Sequence, residues 1–275
     1  MHLDEIQFLV PDVLYDVGQI IGEDVSEFDV KVEYSKKVGA MDSETSELEK
    51  RITELTKEIG RREKENYGFF DRFILGISRG VGWIMDKIQL KTALMFYEGH
   101  STVYVTPLGK KLNKDATKLV LAHELTHFLD DKLYKAFELR DEILVNSIDS
   151  LENYLKELDK NKFFIDTRVI RDMNMNVLRS FSLLSLLESH AAHIENKYGK
   201  LKGISPDTKM KSMPLYLRLF FKLLPTVKDE YSPDSPYTRC RRMIEDAEKE
   251  GTDFGTLLDS AVRDNGLLVI GNYLG

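Results

Sequence analysis

Apolar residues recur at two periods along this chain, and the change of period marks where strand gives way to helix. Between Phe28 and Tyr34, apolar Phe28, Val30, Val32 and Tyr34 alternate with Asp29, Lys31 and Glu33, the period of a half-buried strand. Two further β-prone runs, Thr92 to Tyr97 and Thr102 to Thr106, flank Glu98-Gly99-His100-Ser101 and stop at Pro107, which predicts a hairpin. Between the first strand and the hairpin, Leu48, Ile52, Leu55 and Ile59 recur at helical spacing in the charged segment Ser43 to Tyr67, with Ser46 and Glu49 as a capping box. That segment reads as a long amphipathic helix lying on the core. Phe69 to Met85, interrupted by Asp71, Arg72 and Arg79, reads as a buried helix. From Asn113 onward the period is helical, over Asp115 to Leu133, Glu138 to Leu158 and Asp166 to Tyr198, with Gly199 as the expected stop. Helix is expected again beyond the apolar Pro214 to Pro225 stretch. The pattern predicts a mainly helical α+β fold with a small antiparallel sheet near the N-terminal half. An N-terminal subdomain over 1–133 would carry the hairpin and the helix after it, and a helical subdomain would occupy 134–275.

Composition narrows the chemistry. At 275 residues, 42% hydrophobic and 31% charged, the chain can bury a large core and is neither disordered nor fibrous. No stretch reaches the roughly eighteen apolar residues that a membrane span requires. Met1 to Asp12 carries acids and Pro11 where a secretory signal would carry basic and then apolar residues, so a cytoplasmic location is expected. The single cysteine, Cys240, excludes an internal disulfide framework and leaves His and carboxylates as the metal ligands; it reads as a lone buried thiol. With 39 basic against 46 acidic residues and no long basic run, nucleic acid is not an expected partner.

His123-Glu124-Leu125-Thr126-His127 forms an HExxH pattern inside a helical stretch. Chance would give such a pattern in roughly one sequence of this composition in a hundred. Four residues make slightly more than one turn, so the two imidazoles stand on one face, about 6 Å apart at Cβ, and can bind one zinc ion. Glu124 lies one step round, placed to take a proton from a water at the metal. Around the helix, His123, Glu124, His127 and Asp131 share one arc and Leu121, Ala122, Leu125, Phe128 and Leu129 the other. A catalytic zinc ordinarily takes a third protein ligand, and no His follows within a dozen residues of His127. The long helix ending near Tyr198 offers Glu188, His190 and His193. Glu188 shares its face with Ala191, Ala192 and Glu195, while His190 and His193 point about 160° and 140° away, so one ion cannot use both faces. Glu188 is the favoured ligand, with His193 or His190, or no ligand from this helix, as alternatives. Glu195, about 10 Å along the axis from Glu188, can support the site without joining the same coordination sphere.

His123 to Asp131, Leu187 to Glu195 and the hairpin Ala93 to Val105 together resemble the gluzincin zinc metallopeptidases, the thermolysin-like enzymes. The resemblance implies a zincin-like fold with a substrate cleft between sheet and helical half, Zn2+ held by His123, His127 and Glu188, and Glu124 as base and then proton donor. It also implies that Asp131 orients a ligand histidine, that the hairpin edge strand binds an extended peptide, and that a residue of the Pro236 to Gly251 segment, Tyr237 or else Arg239, donates to the oxyanion. Two departures stand against it. The position four residues after Glu188, an Asp in thermolysin-like enzymes, is Ala192, so Asp130, Asp131 or Glu195 would have to orient the histidine; and some sixty residues separate His127 from Glu188. The expected function is hydrolysis of a peptide or protein substrate. A non-catalytic interaction module on the same scaffold and a zinc hydrolase of a non-peptide amide are the competing readings.

Overall fold

Ile6, Leu9, Val10, Val13, Leu14 and Val17 lie three or four residues apart along one helical face, and all are buried in α1 (Leu3–Ile21). The sequence reading placed no helix here. The helix runs through Pro11, which sits on the exposed face. This is a computed structural model, and it describes residues 1–34, 51, 54, 94–97, 99–160, 167–205, 207–215, 218 and 236–263.

After α1 come β1 (Lys31–Tyr34), β2 (Met95–Tyr97) and β3 (Thr102–Val105), followed by helices α2 (Lys114–Tyr134), α3 (Ala136–Lys160), α4 (Thr167–Lys202), α5 (Asp207–Ser212), α6 (Pro236–Lys249) and α7 (Phe254–Arg263). The chain is mainly helical, as the pattern predicted. The predicted helix over 43–67, apart from residues 51 and 54, and the one over 69–85 lie outside the described residues. Arg51 itself reaches α3, pairing with Asp149 at 2.7 Å and Glu152 at 2.9 Å.

The hairpin forms where predicted. β2 and β3 are antiparallel, and the turn between them uses positive φ at Gly99, His100 and Ser101. The sheet as a whole is mixed, not antiparallel, because β1 runs parallel to the central β3. An alternating pattern specifies a buried face but no direction, and about sixty residues separate β1 from β2, enough for a crossover. The Gln7 side chain ties α1 to the free edge of β1, donating from Nε2 to the Val30 carbonyl at 2.9 Å and accepting from the Val32 N–H at 2.7 Å.

α4 does not stop at Gly199. It continues to Lys202 and ends at Gly203, whose φ of 67° is the left-handed conformation that closes a helix. Gly199 is a packing position: a Cβ there would lie 3.3 Å from Leu119 Cδ2 of α2 and 3.1 Å from the Ile204 carbonyl oxygen. One core joins α1, the sheet, α2 and the end of α4 through Ile194 and Tyr198. A second, containing Leu183, Leu186, Leu187, Cys240, Ile244 and Leu258, joins α4 to α6 and α7. Cys240 is buried there as expected, and burial pushes its thiol up to about 11. Among the described residues no helix is long and apolar enough to cross a membrane.

Candidate metal centre

The helix that carries HExxH is fixed at both ends. Asn113 caps it, its Oδ1 accepting from the Ala116 N–H at 2.8 Å, and Lys135 closes it in the left-handed conformation. The two-sided picture drawn from the sequence holds only in part. Leu121, Leu125, Phe128 and Leu129 are buried, but so are Glu124, Thr126, His127 and Asp130, because α4 and the hairpin cover the polar arc. α2 is therefore an internal helix, and its polar groups must find partners inside the protein.

His123 and His127 find Glu188. His123 Nε2 lies 3.4 Å from Glu188 Oε2, and His127 Nε2 lies 3.5 Å from Glu188 Oε1. The rings stand edge to face at 4.9 Å, and a donor atom from each of the three residues falls within 4.8 Å of the others. Two ligands bound to zinc at about 2.0–2.1 Å with a tetrahedral angle are about 3.4 Å apart, so the His–Glu spacings suit a shared ion. The side chain of Glu188 is half-exposed and faces an open cleft. His190 and His193 point elsewhere, as helical geometry required. His190 Nδ1 meets Asp130 at 2.9 Å with its ring stacked on Phe254, and His193 Nε2 meets Glu248 of α6 at 3.1 Å.

These contacts set the electrostatics. Burial works against a charge on His123, but Glu188 and Glu195 beside it outweigh that and push it up to about 10. For Glu188, burial acts upward and is overcome by both imidazoles, so its carboxyl is held well below the usual range. Burial raises Glu124, against the downward pull of His123 and His127.

Around this centre the resemblance is corrected at one residue. Asp131 does not orient a ligand histidine; its Oδ2 accepts from the Tyr97 hydroxyl at 2.7 Å. Glu195 is the carboxylate that lies beside His123, with Oε2 3.3 Å from its Nδ1 in an ion-pair contact that lacks hydrogen-bond alignment. Lys209 of α5 holds Glu195 from the other side at 2.6 Å. A carboxylate behind a ligand imidazole selects its tautomer and raises its basicity. Glu195→Gln is therefore expected to weaken zinc binding by roughly ten- to a hundredfold, read by competition with a chromophoric chelator. Unchanged affinity would leave Glu195 as a partner of Lys209 alone.

Sequence reasoning missed two features. Tyr97 of β2 grips α2 at two points about two turns apart: its N–H donates to Glu124 Oε2 at 3.0 Å while its hydroxyl donates to Asp131 Oδ2 at 2.7 Å. The inward face of the alternating hairpin was the available signal. The second is the His190–Asp130 pair, with both side chains almost fully buried, which locks α4 to α2 beside the candidate ligands. Removing one partner strands the other, so Asp130→Ala is expected to cost about 3 kcal/mol in urea unfolding of the metal-free protein. A loss below about 1 kcal/mol would show that the pair adds little. Tyr237 belongs to the first turn of α6, and its side chain lies outside the described residues; Arg239 is not among the residues that line the cleft. No family model, curated protein or solved structure matches this chain.

Proposed function

We propose that this protein is a zinc-dependent metallopeptidase of the gluzincin type. The observation that carries the reading is the convergence of His123, His127 and Glu188, residues from two helices, at the spacing of ligands to one ion. Two imidazoles and a carboxylate are the donor set of a catalytic zinc in which one position stays open. Bound there, zinc would polarise the scissile carbonyl and lower the pKa of a coordinated water to about 7. Glu124 would accept the proton of the attacking water and deliver it to the leaving amine, its carboxylate aimed by the Tyr97 N–H. Glu195 would keep His123 in the tautomer that presents Nε2. Tyr237, in the first turn of the helix across the cleft, is the proposed donor to the oxyanion.

The test is direct. Full-length protein loaded with zinc should hold one ion per chain and cleave members of a random peptide library, with products identified by mass spectrometry. Stoichiometric zinc without cleavage of any peptide would refute the peptidase assignment, and hydrolysis of simple amides by the same sample would then identify a non-peptide amidohydrolase. Protein that takes up no zinc would refute both.

A further inference from the structure

The candidate ligands open onto a cleft of about 600 Å³ whose walls are faces of α4 and α6. Glu188, Ala192 and Glu195 line it from α4, spaced four and three residues apart, and adjacent Arg241 and Arg242, with Glu245 one turn on, line it from α6.

The charges in this cleft do not balance once a cation occupies the centre. Lys209, the remaining basic side chain of the lining, is held by Glu195 at 2.6 Å. Arg241 pairs with Glu245 at 2.9 Å, one turn along its own helix. Such an exposed pair is weak and readily exchanged for another carboxylate. Arg242 is exposed and has no ion-pair partner among the described residues. Of the acids in the described lining, Glu195 and Glu245 are paired as above, and Glu188 would have its charge taken up by the metal. What is left is a guanidinium fork beside the reaction centre, and guanidinium binds carboxylates in two parallel hydrogen bonds.

We propose that this cleft selects substrates by a carboxylate, carried on an acidic side chain or at the peptide C-terminus, which docks on Arg242 with Arg241 beside it. The proposal rests on the peptidase reading for what is cut, but the recognition itself is an equilibrium binding property and is tested apart from turnover. The probe is a set of three fluorescein-labelled peptides of one sequence: one with an internal Glu and an amidated C-terminus, one with Gln in its place and the same amide, and one with Gln and a free C-terminus. Each is titrated by fluorescence anisotropy into zinc-loaded Glu124→Gln protein, which is meant to bind without cutting. Either or both carboxylate-bearing peptides should bind roughly tenfold tighter than the neutral one, the gain expected of one charge-assisted contact. Which of them gains identifies the source of the carboxylate. Adding Arg242→Ala should bring the ratio close to one, and Arg242→Glu should reverse it, with circular dichroism confirming the fold of both. Equal affinity for the three peptides, absence of peptide binding, or a preference that survives Arg242→Ala would overturn the proposal. A wild-type protein that prefers the carboxylate yet never hydrolyses a peptide would refute the peptidase reading and leave this one standing.

Discussion

Glu124→Gln is expected to lower kcat/KM for a cleaved peptide by about three orders of magnitude, mostly in kcat, with one zinc per chain retained. Gln has the shape of Glu and keeps an oxygen to accept the Tyr97 N–H, which lies 3.0 Å from Glu124 Oε2. The local structure should therefore survive. The three proposed ligands are other residues, so metal content should survive as well. What an amide cannot do is take a proton from water and return it to the leaving nitrogen, and that service is worth on the order of 10²–10⁴ in rate. Measuring metal by atomic emission on the same sample used for kinetics separates the two roles. Undiminished turnover would remove Glu124 from the mechanism, and loss of zinc together with turnover would make it a structural residue instead.

The elements most legible in the sequence were those whose pattern is local. The hairpin followed from two alternating runs around a Gly-containing turn, and α2, α3 and α4 from sustained helical periods. α1 has as regular a pattern as any of these but was not read as a helix. Pro11 in its interior costs a backbone hydrogen bond, and tertiary burial of Ile6, Val10, Val13 and Val17 outweighs that cost. Strand direction was illegible for a different reason: alternation records which side chains are buried, not which way the neighbouring chain runs. Gly199 misled because a glycine that ends a helix and a glycine that admits a neighbouring helix look identical in one sequence, and only the position of Leu119 distinguishes them.

The site divides along the same line. His123, Glu124 and His127 follow from spacing on a single helix. His190 and His193 lie on a different face of α4 from Glu188, in the structure as in the helical projection, and Glu188 is favoured for the small Ala191 and Ala192 that flank it. The partners of the rejected histidines, Asp130 and Glu248, lie 60 and 55 residues away in the chain, beyond any periodic argument. Asp131 was assigned by resemblance, and its capture by Tyr97 depends on how the hairpin docks on α2. Glu195 was one of three candidates to orient the histidine. The docking of α4 on α2 sets it beside His123 Nδ1, as Asp130 turns to His190 and Asp131 to Tyr97.

Glu188→Ala should lower zinc affinity by at least two orders of magnitude and change the proton balance of binding, because Glu188 is at once a proposed ligand and the neighbour that keeps His123 protonated. In the metal-free protein, burial opposes the charge on His123, but the two carboxylates hold it up to about 10, so near pH 8 the ring carries a proton that zinc must displace. The sign follows from the shifts. A raised histidine stabilises the metal-free fold fully below its ordinary value near 6.5, and this is lost as pH rises through about 10; the depressed Glu188 stabilises it above about 4.5, and this is lost as pH falls. Zinc competes with a cluster at its most stable in weak acid, so its affinity should climb between pH 7 and 9 by up to about tenfold per unit. Calorimetric titration at pH 8 in two buffers of different ionisation enthalpy measures the protons released. Wild type should release about one, and Glu188→Ala measurably less, since a ring that has lost one of its two carboxylates is already closer to neutral. Equal affinity with an equal proton count in both proteins would mean that the ion, if it binds at all, does not touch Glu188.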